Sequence, residues 1–212
     1  PPRSTLFPYT TLFRSVEMDQ NTDPRFFLRN RDGVIGVLKT AGREVRLDGK
    51  RVARDIRIRN GVHVATGPAS AAILQFSAPA GGDCGLEVLD FRHGRIYGAA
   101  RRCGHRVATN AGVMETRGAS ATYHAENRVP GKTIFTAIAG AASVWRHAEP
   151  GFVVQVPGYH QVVLSADGIS RPRRVSPEEV AEITNWRKNF WRLREAQTQP
   201  PPRDPDEASR IR

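Results

Sequence analysis

Six histidines, two cysteines and one acidic cluster are the residues of this chain with chemistry beyond holding a fold. The histidines are His63, His93, His105, His124, His147 and His160. No two stand four apart, the spacing that lays a pair of imidazoles on one helix face for a metal, and none belongs to an HExxH pattern. They read as isolated surface or turn residues. Asp83, Glu87 and Asp90 are close in sequence. Alternation along a strand sends Asp83 and Glu87 to one face and Asp90 to the other, which is a poor arrangement for a general acid and base. Solvated strand charges are the simpler reading. No GxSxG elbow, phosphate-cradling glycine loop or dinucleotide fingerprint is present. No catalytic, metal-ligating or cofactor-binding residue is nominated, so the chain reads as a non-enzyme without a cofactor.

Cys84 and Cys103 have neither CxxC nor Cys/His metal spacing. A different inference follows from the residues between them. If His93 and Gly94 form a two-residue turn, Phe91 faces Ile96 and Leu89 faces Gly98. The same register brings Cys84 opposite Cys103, where two Cβ atoms come within disulfide range. The pair is a candidate disulfide that needs an oxidising compartment; the alternative is two small buried thiols.

Short runs rich in Val, Ile, Thr, Phe and Tyr must position these residues. From Gly33 to Gly168, turn dipeptides interrupt the runs about every ten residues. They are Asp48-Gly49, Asn60-Gly61, His93-Gly94, Pro130-Gly131, Pro150-Gly151, Pro157-Gly158 and Asp167-Gly168. Each supplies a residue that tolerates positive φ, or a pre-bent proline, where the chain reverses. No amphipathic helix separates the runs, so a parallel βαβ architecture is excluded. The expected fold is all-β, with short antiparallel strands in a twisted solenoid-like or sandwich arrangement.

One C-terminal α-helix follows. Ser176-Pro177-Glu178-Glu179 has the form of a capping box with proline at the first helical position. Val180, Ile183, Trp186, Phe190 and Leu193 then recur at helical spacing and predict a helix packed on the β domain by one apolar stripe. Arg187, Lys188, Arg192 and Arg194 are expected near its C-terminal end, where the helix dipole favours cations. The Pro-rich, charged residues from Gln197 onward are expected to be disordered.

The first fifteen residues, PPRSTLFPYTTLFRS, lack either periodicity and resemble a translated sequencing adapter. They are set aside as an artefact, with the native protein expected to enter at about Val16 and its true start missing. The resulting division is 1–15 artefact, 16–32 linker or truncated N-terminal region, 33–170 β domain, 171–196 linker and helix, and 197–212 tail.

The net charge is +11, with hydrophobic content of 39% and a mean hydropathy of −0.45. These are the values of a soluble globular chain, and no run approaches the 18 or more apolar residues of a membrane helix. Seventeen Lys and Arg face ten Asp and Glu between Gly33 and Ser170, so the positive charge is spread over the β region rather than held in an arm. A basic surface favours polyanions. Only Lys39, Lys50, Lys132 and Lys188 are lysines, and such a preference for arginine is what a GC-rich genome produces.

The order of segments resembles the FecR domain. Residues Ile58 to Phe76 contain a turn glycine (Gly61), an apolar strand, Thr66-Gly67, a small-residue turn and a second apolar strand. This is similar to that family's opening signature. Leu86–Gly94 follows as a strand ending in a glycine turn. Arg106–Thr109 and Gly112–Gly118 resemble its most recognisable stretch, with Ala119 where the family usually has threonine. Ile134–Val144 and Val153–Val163 resemble its closing strands. Gly61, Thr66, Gly67, Gly112 and Gly118 are the motif positions, with structural roles.

The resemblance implies an extracytoplasmic, non-catalytic binding or signal-relay module of the bacterial periplasm or cell envelope, with sigma-factor regulation as the narrower form of that role. The expected partner is a protein or an anionic envelope polymer. Membrane association would come through the missing N-terminal segment. The alternative reading is a basic protein that binds an anionic polymer or nucleic acid, although nucleic acid is the less favoured partner.

Overall fold

The computed structural model describes residues 14–28, 33–77, 86–89, 91–101 and 104–198, with the backbone alone at 86–89, 101 and 117–119. Strands β1 (Ser15–Met18), β2 (Arg25–Leu28) and β3 (Val34–Ala41) come first. A small three-stranded sheet is built from β4 (Val45–Leu47), β5 (Lys50–Val52) and β7 (Val64–Thr66), with β6 (Ile56–Arg59) between them in sequence. Next are β8 (Ala71–Phe76), β9 (Leu86–Leu89), β10 (Gly94–Arg101) and β11 (His105–Ala108). The long hairpin β12 (Gly112–Val129) and β13 (Lys132–Arg146) leads to β14 (Glu149–Pro157) and β15 (His160–Ser165). The short strands β16 (Gly168–Ile169) and β17 (Arg173–Arg174) finish the β region.

The hairpin of β12 and β13 is the spine. Residues Gly112–Arg117 pair with Arg146–Ala141, and Thr122–Glu126 pair with Ala139–Ile134. Register shifts between Arg117 and Thr122 divide each long strand into two halves. One set of halves joins the order β16-β15-β13-β12-β10-β1-β8-β3-β6. The other joins β14-β13-β12-β11-β9-β2. The two sections face each other. Phe26 of β2 meets Phe76 of β8 edge to face at 6.3 Å, and His105 of β11 meets Tyr123 of β12 at 5.7 Å. One core lies between them, containing Val16, Ile35, Leu74, Phe91, Ile96, Tyr123, Phe135 and Val144. Among the described pairings only β9 with β11 is parallel. The fold is therefore mostly β and antiparallel, sandwich-like rather than a closed barrel.

The helical segment starts as its sequence dictates. Ser176 Oγ accepts the Glu179 N–H at 3.2 Å, and the Glu179 carboxylate accepts the Ser176 N–H at 2.8 Å. It then departs from the expected single helix. α1 (Pro177–Ile183) stops at Thr184, whose hydroxyl donates back to the Val180 carbonyl at 2.7 Å. A 3₁₀ turn, Asn185–Arg187, re-aims the chain before α2 (Lys188–Thr198). The last turn of α2 carries no basic residue. Arg187 and Arg194 instead form ion pairs with the β region. No helix among the described residues is long and apolar enough to cross a membrane.

Two sequence boundaries move. The β unit does not begin at Gly33, because β1 lies between β8 and β10 and β2 pairs with β9. Residues 16–32 are thus not a linker over their described part. Ser15, grouped with the adapter-like stretch, is the first residue of β1, and Arg14 is buried with its guanidinium on the Ser77 carbonyl at 3.0 Å. Strand pairing uses backbone groups that any residue but proline supplies, so membership of β1 places little demand on the side chain at 15.

The hairpin expected around His93-Gly94 does not form. Leu89 faces Arg25, and Gly98 lies between Val16 and Tyr123. Cys84 and Cys103 lie outside the described residues.

Candidate binding surfaces

The histidines are held apart. His105 lies in β11 with no exposed surface, its Nδ1 3.1 Å from the Tyr123 hydroxyl. His124 lies in β12, 1% exposed, and its Nε2 accepts the Trp186 indole N–H at 3.4 Å. Burial brings both imidazoles down to about 3 from 6.5, helped by Arg14 for His105 and by Arg95 and Arg187 for His124. Burial also pushes the Tyr123 phenol well above its ordinary value. All three groups stay neutral at physiological pH and are sealed from solvent, so they cannot act as acid or base on a substrate. His147 and His160 donate to the carbonyls of Thr109 and Gly158 at 2.7 and 2.9 Å. His63 and His93 are fixed through their backbone N–H groups, by Asp48 and Asp23. Among the described residues no three His, Cys, Asp or Glu gather as a metal site. The acidic cluster around Glu87 falls outside the described side chains.

The most developed polar cluster fastens the helical segment to the sheet. Glu17, Tyr97 and His124 stand directly opposite one another across β1, β10 and β12, and so share one face. Arg187 crosses that row. Its guanidinium lies 3.7 Å over the Tyr97 ring and reaches both Glu17 carboxylate oxygens at 2.6 and 2.7 Å. Trp186 packs beside His124, with Arg95 over its ring and Arg95 in turn paired with Asp19. Further along, Phe190 closes a small second core with Ala41, Ala71 and Ile73, and Arg194 pairs with Asp55 at 3.0 Å. This site is structural. A cleft of about 220 Å³ beside α2, lined by residues including Asp19, Ser70 and Arg192, is smaller than sites for drug-sized ligands.

The motif positions serve the backbone. Gly61 turns with φ +81° and donates its N–H to Phe26. Thr66 is buried; its hydroxyl accepts the Thr22 N–H and donates to the Asp19 carbonyl. Gly67 donates to the Glu44 carbonyl at 2.7 Å. A Cβ at Gly112 would sit 2.3 Å from the Trp145 carbonyl oxygen. Gly118 lies in β12 within the interval where the spine changes register.

The free edge of β14 could not be found by motif. Among the described residues β14 pairs with β13 alone, from Ala141↔Pro157 to Arg146↔Glu149. Among the described residues no strand pairs with its other side. Glu149 is its one charged residue, while Phe152 is 59% and Val153 44% exposed. Tyr159 follows in the turn to β15, 45% exposed and with φ +59°. A bulky side chain in the left-handed region is strained. Natural edges are shielded by charges, bulges or covering elements, and an apolar uncharged edge is a template for another strand. Pro150 and Pro157 bracket this one and limit its length.

Comparisons with known proteins are sparse. No protein-family model and no curated protein matches the chain. Two crystal structures of a proposed anti-sigma factor from Parabacteroides distasonis ATCC 8503 show a distant structural similarity. One is 14% identical with a TM-score of 0.37 and covers 78% of this chain and 62% of its own. The other is 12% identical with a TM-score of 0.39 and covers 79% and 63%. The chain thus spans less than two thirds of the length of either structure.

Proposed function

We propose that this chain is a non-catalytic binding and relay module of the bacterial cell envelope that engages a protein partner by strand addition along β14. The observation that carries this reading is the edge of β14, unpaired among the described residues and charged only at Glu149, with Phe152 and Val153 exposed on it and Tyr159 exposed in the turn that follows. Main-chain hydrogen bonds would provide affinity, and Phe152 and Val153 would select the incoming side chains. The sealed histidines argue against acid–base chemistry. The FecR resemblance of residues 58–76 and 106–118 motivates the envelope placement. Under the finer reading, occupancy of β14 reports receptor state to a regulator of sigma-factor activity.

A photoreactive phenylalanine analogue at position 152, in cells expressing the complete gene, tests the proposal. A discrete covalent protein adduct is expected there, with none at the exposed control position Arg128. No adduct at 152, or equal adducts at both positions, would overturn it.

A further inference from the structure

A second surface differs from β14 in every respect. Seven of the seventeen Lys and Arg residues between Gly33 and Ser170 fall within Arg43–Arg59, and all seven are exposed. The fold raises them on β4, β5, β6 and the turns between. Arg46 and Arg51 are directly opposite in the β4–β5 ladder, so they share a face with Cα atoms about 5 Å apart. Like charges in that position repel and destabilise the pair.

Glu44, Asp48 and Asp55 lie in the same stretch, so seven cations face three carboxylates there. Among the described residues none of the seven has an ion-pair partner. Two of the acids are engaged with other groups: Asp55 holds Arg194 and the Thr40 N–H, and Asp48 holds the His63 N–H. A concentrated single-sign field of this kind is complementary to an anion-rich partner.

The apolar neighbours decide which partner. β6 is the outermost strand of its sheet section. Val34 pairs directly with Arg59 and is 41% exposed, and Ile56 opens β6 at 38% exposure. A soluble polyanion gives these aliphatic groups nothing to contact. An anionic bilayer satisfies both kinds of residue, with phosphates for the guanidinium heads and the acyl boundary for Val34, which shares the Arg59 face, and for the arginine stems. We propose that the edge formed by β4, β5 and β6 docks on an anionic lipid surface. Six strand steps along the sheet separate β13, the neighbour of β14, from β6, so the two edges do not overlap.

The test is sedimentation of the full chain with vesicles of phosphatidylglycerol and phosphatidylcholine in equal parts, and with phosphatidylcholine alone. Binding is expected only to the anionic vesicles, and it should weaken steeply as salt is raised. The triple variant Arg54→Gln, Arg57→Gln, Arg59→Gln should bind on the order of 100-fold more weakly. A variant with the same loss of charge elsewhere, Arg128→Gln, Arg171→Gln, Arg174→Gln, should bind nearly as the parent does. Matched unfolding curves would establish that both variants fold. Absence of binding at low salt, or equal weakening in both variants, would overturn the proposal. So would tight binding to DNA or polyphosphate with none to vesicles, which would assign the patch to a soluble polyanion.

Discussion

His105 and His124 make the stability of the molecule pH-dependent. Each is neutral in the fold down to about pH 3, but in the unfolded chain each takes up a proton near 6.5. The unfolded state binds more protons throughout that window. The stability tied to the neutral rings is therefore complete above 6.5 and is lost as pH falls towards 3. For two such groups the loss between pH 7 and pH 5 is about 4 kcal/mol. Urea unfolding over that range should show it, and a His105→Gln, His124→Gln variant should show a flatter profile; an equally steep one would contradict the assignment.

Tyr159 is predicted to behave in the opposite sense to a core residue. Tyr159→Gly removes the left-handed strain and should stabilise by about 1 kcal/mol while weakening partner binding. Calorimetry against an adduct assay separates the two effects. The sequence held only part of this information. The alternation of His105 with Val107 signals an inward face, and both are buried. The burial of His124 depends on Trp186, which is 62 residues distant, and no local pattern reveals it.

At the scale of elements, turns were legible and partners were not. Asp48 and Gly49 both adopt positive φ and close the β4–β5 hairpin with Leu47 opposite Lys50, as the dipeptide suggests. The His93-Gly94 dipeptide equally suggested a hairpin, yet β9 and β10 enter different sections. Turn chemistry fixes where a chain bends, but the choice of neighbour is decided by burial across the sandwich.

The hairpin register that placed Cys84 opposite Cys103 does not form, and both residues lie outside the described ones, so the disulfide stands as a proposal from the sequence alone. A non-reducing peptide map should recover the two as one linked peptide; free thiols on both would end the idea. Arg187→Ala tests the helix clamp. It leaves Glu17 without its partner against a largely buried surface and should cost about 2 kcal/mol in unfolding free energy. A cost near zero would mean that the helix docks through Trp186 and Phe190 alone.

The whole molecule presents two unlike edges on one sandwich. The basic run from Arg43 to Arg59 is legible in the sequence, but that all seven of its cations stay exposed on β4, β5, β6 and the turns between them required the fold. The hydrophobic runs of β14 were equally plain, but whether Phe152 and Val153 face a core or solvent depends on a neighbouring strand that sequence cannot supply. The envelope placement predicts that alkaline phosphatase fused after Ile169 in the complete gene is active; an inactive, stably expressed fusion would contradict it.

Strand addition along β14 is tested most directly by amide hydrogen exchange. The chain would be compared alone and as the covalent adduct formed at position 152. New protection on alternate amides between Gly151 and Val156, with β6 and α2 unchanged, is the predicted result. Protection confined to other elements, or none along β14, would contradict the account.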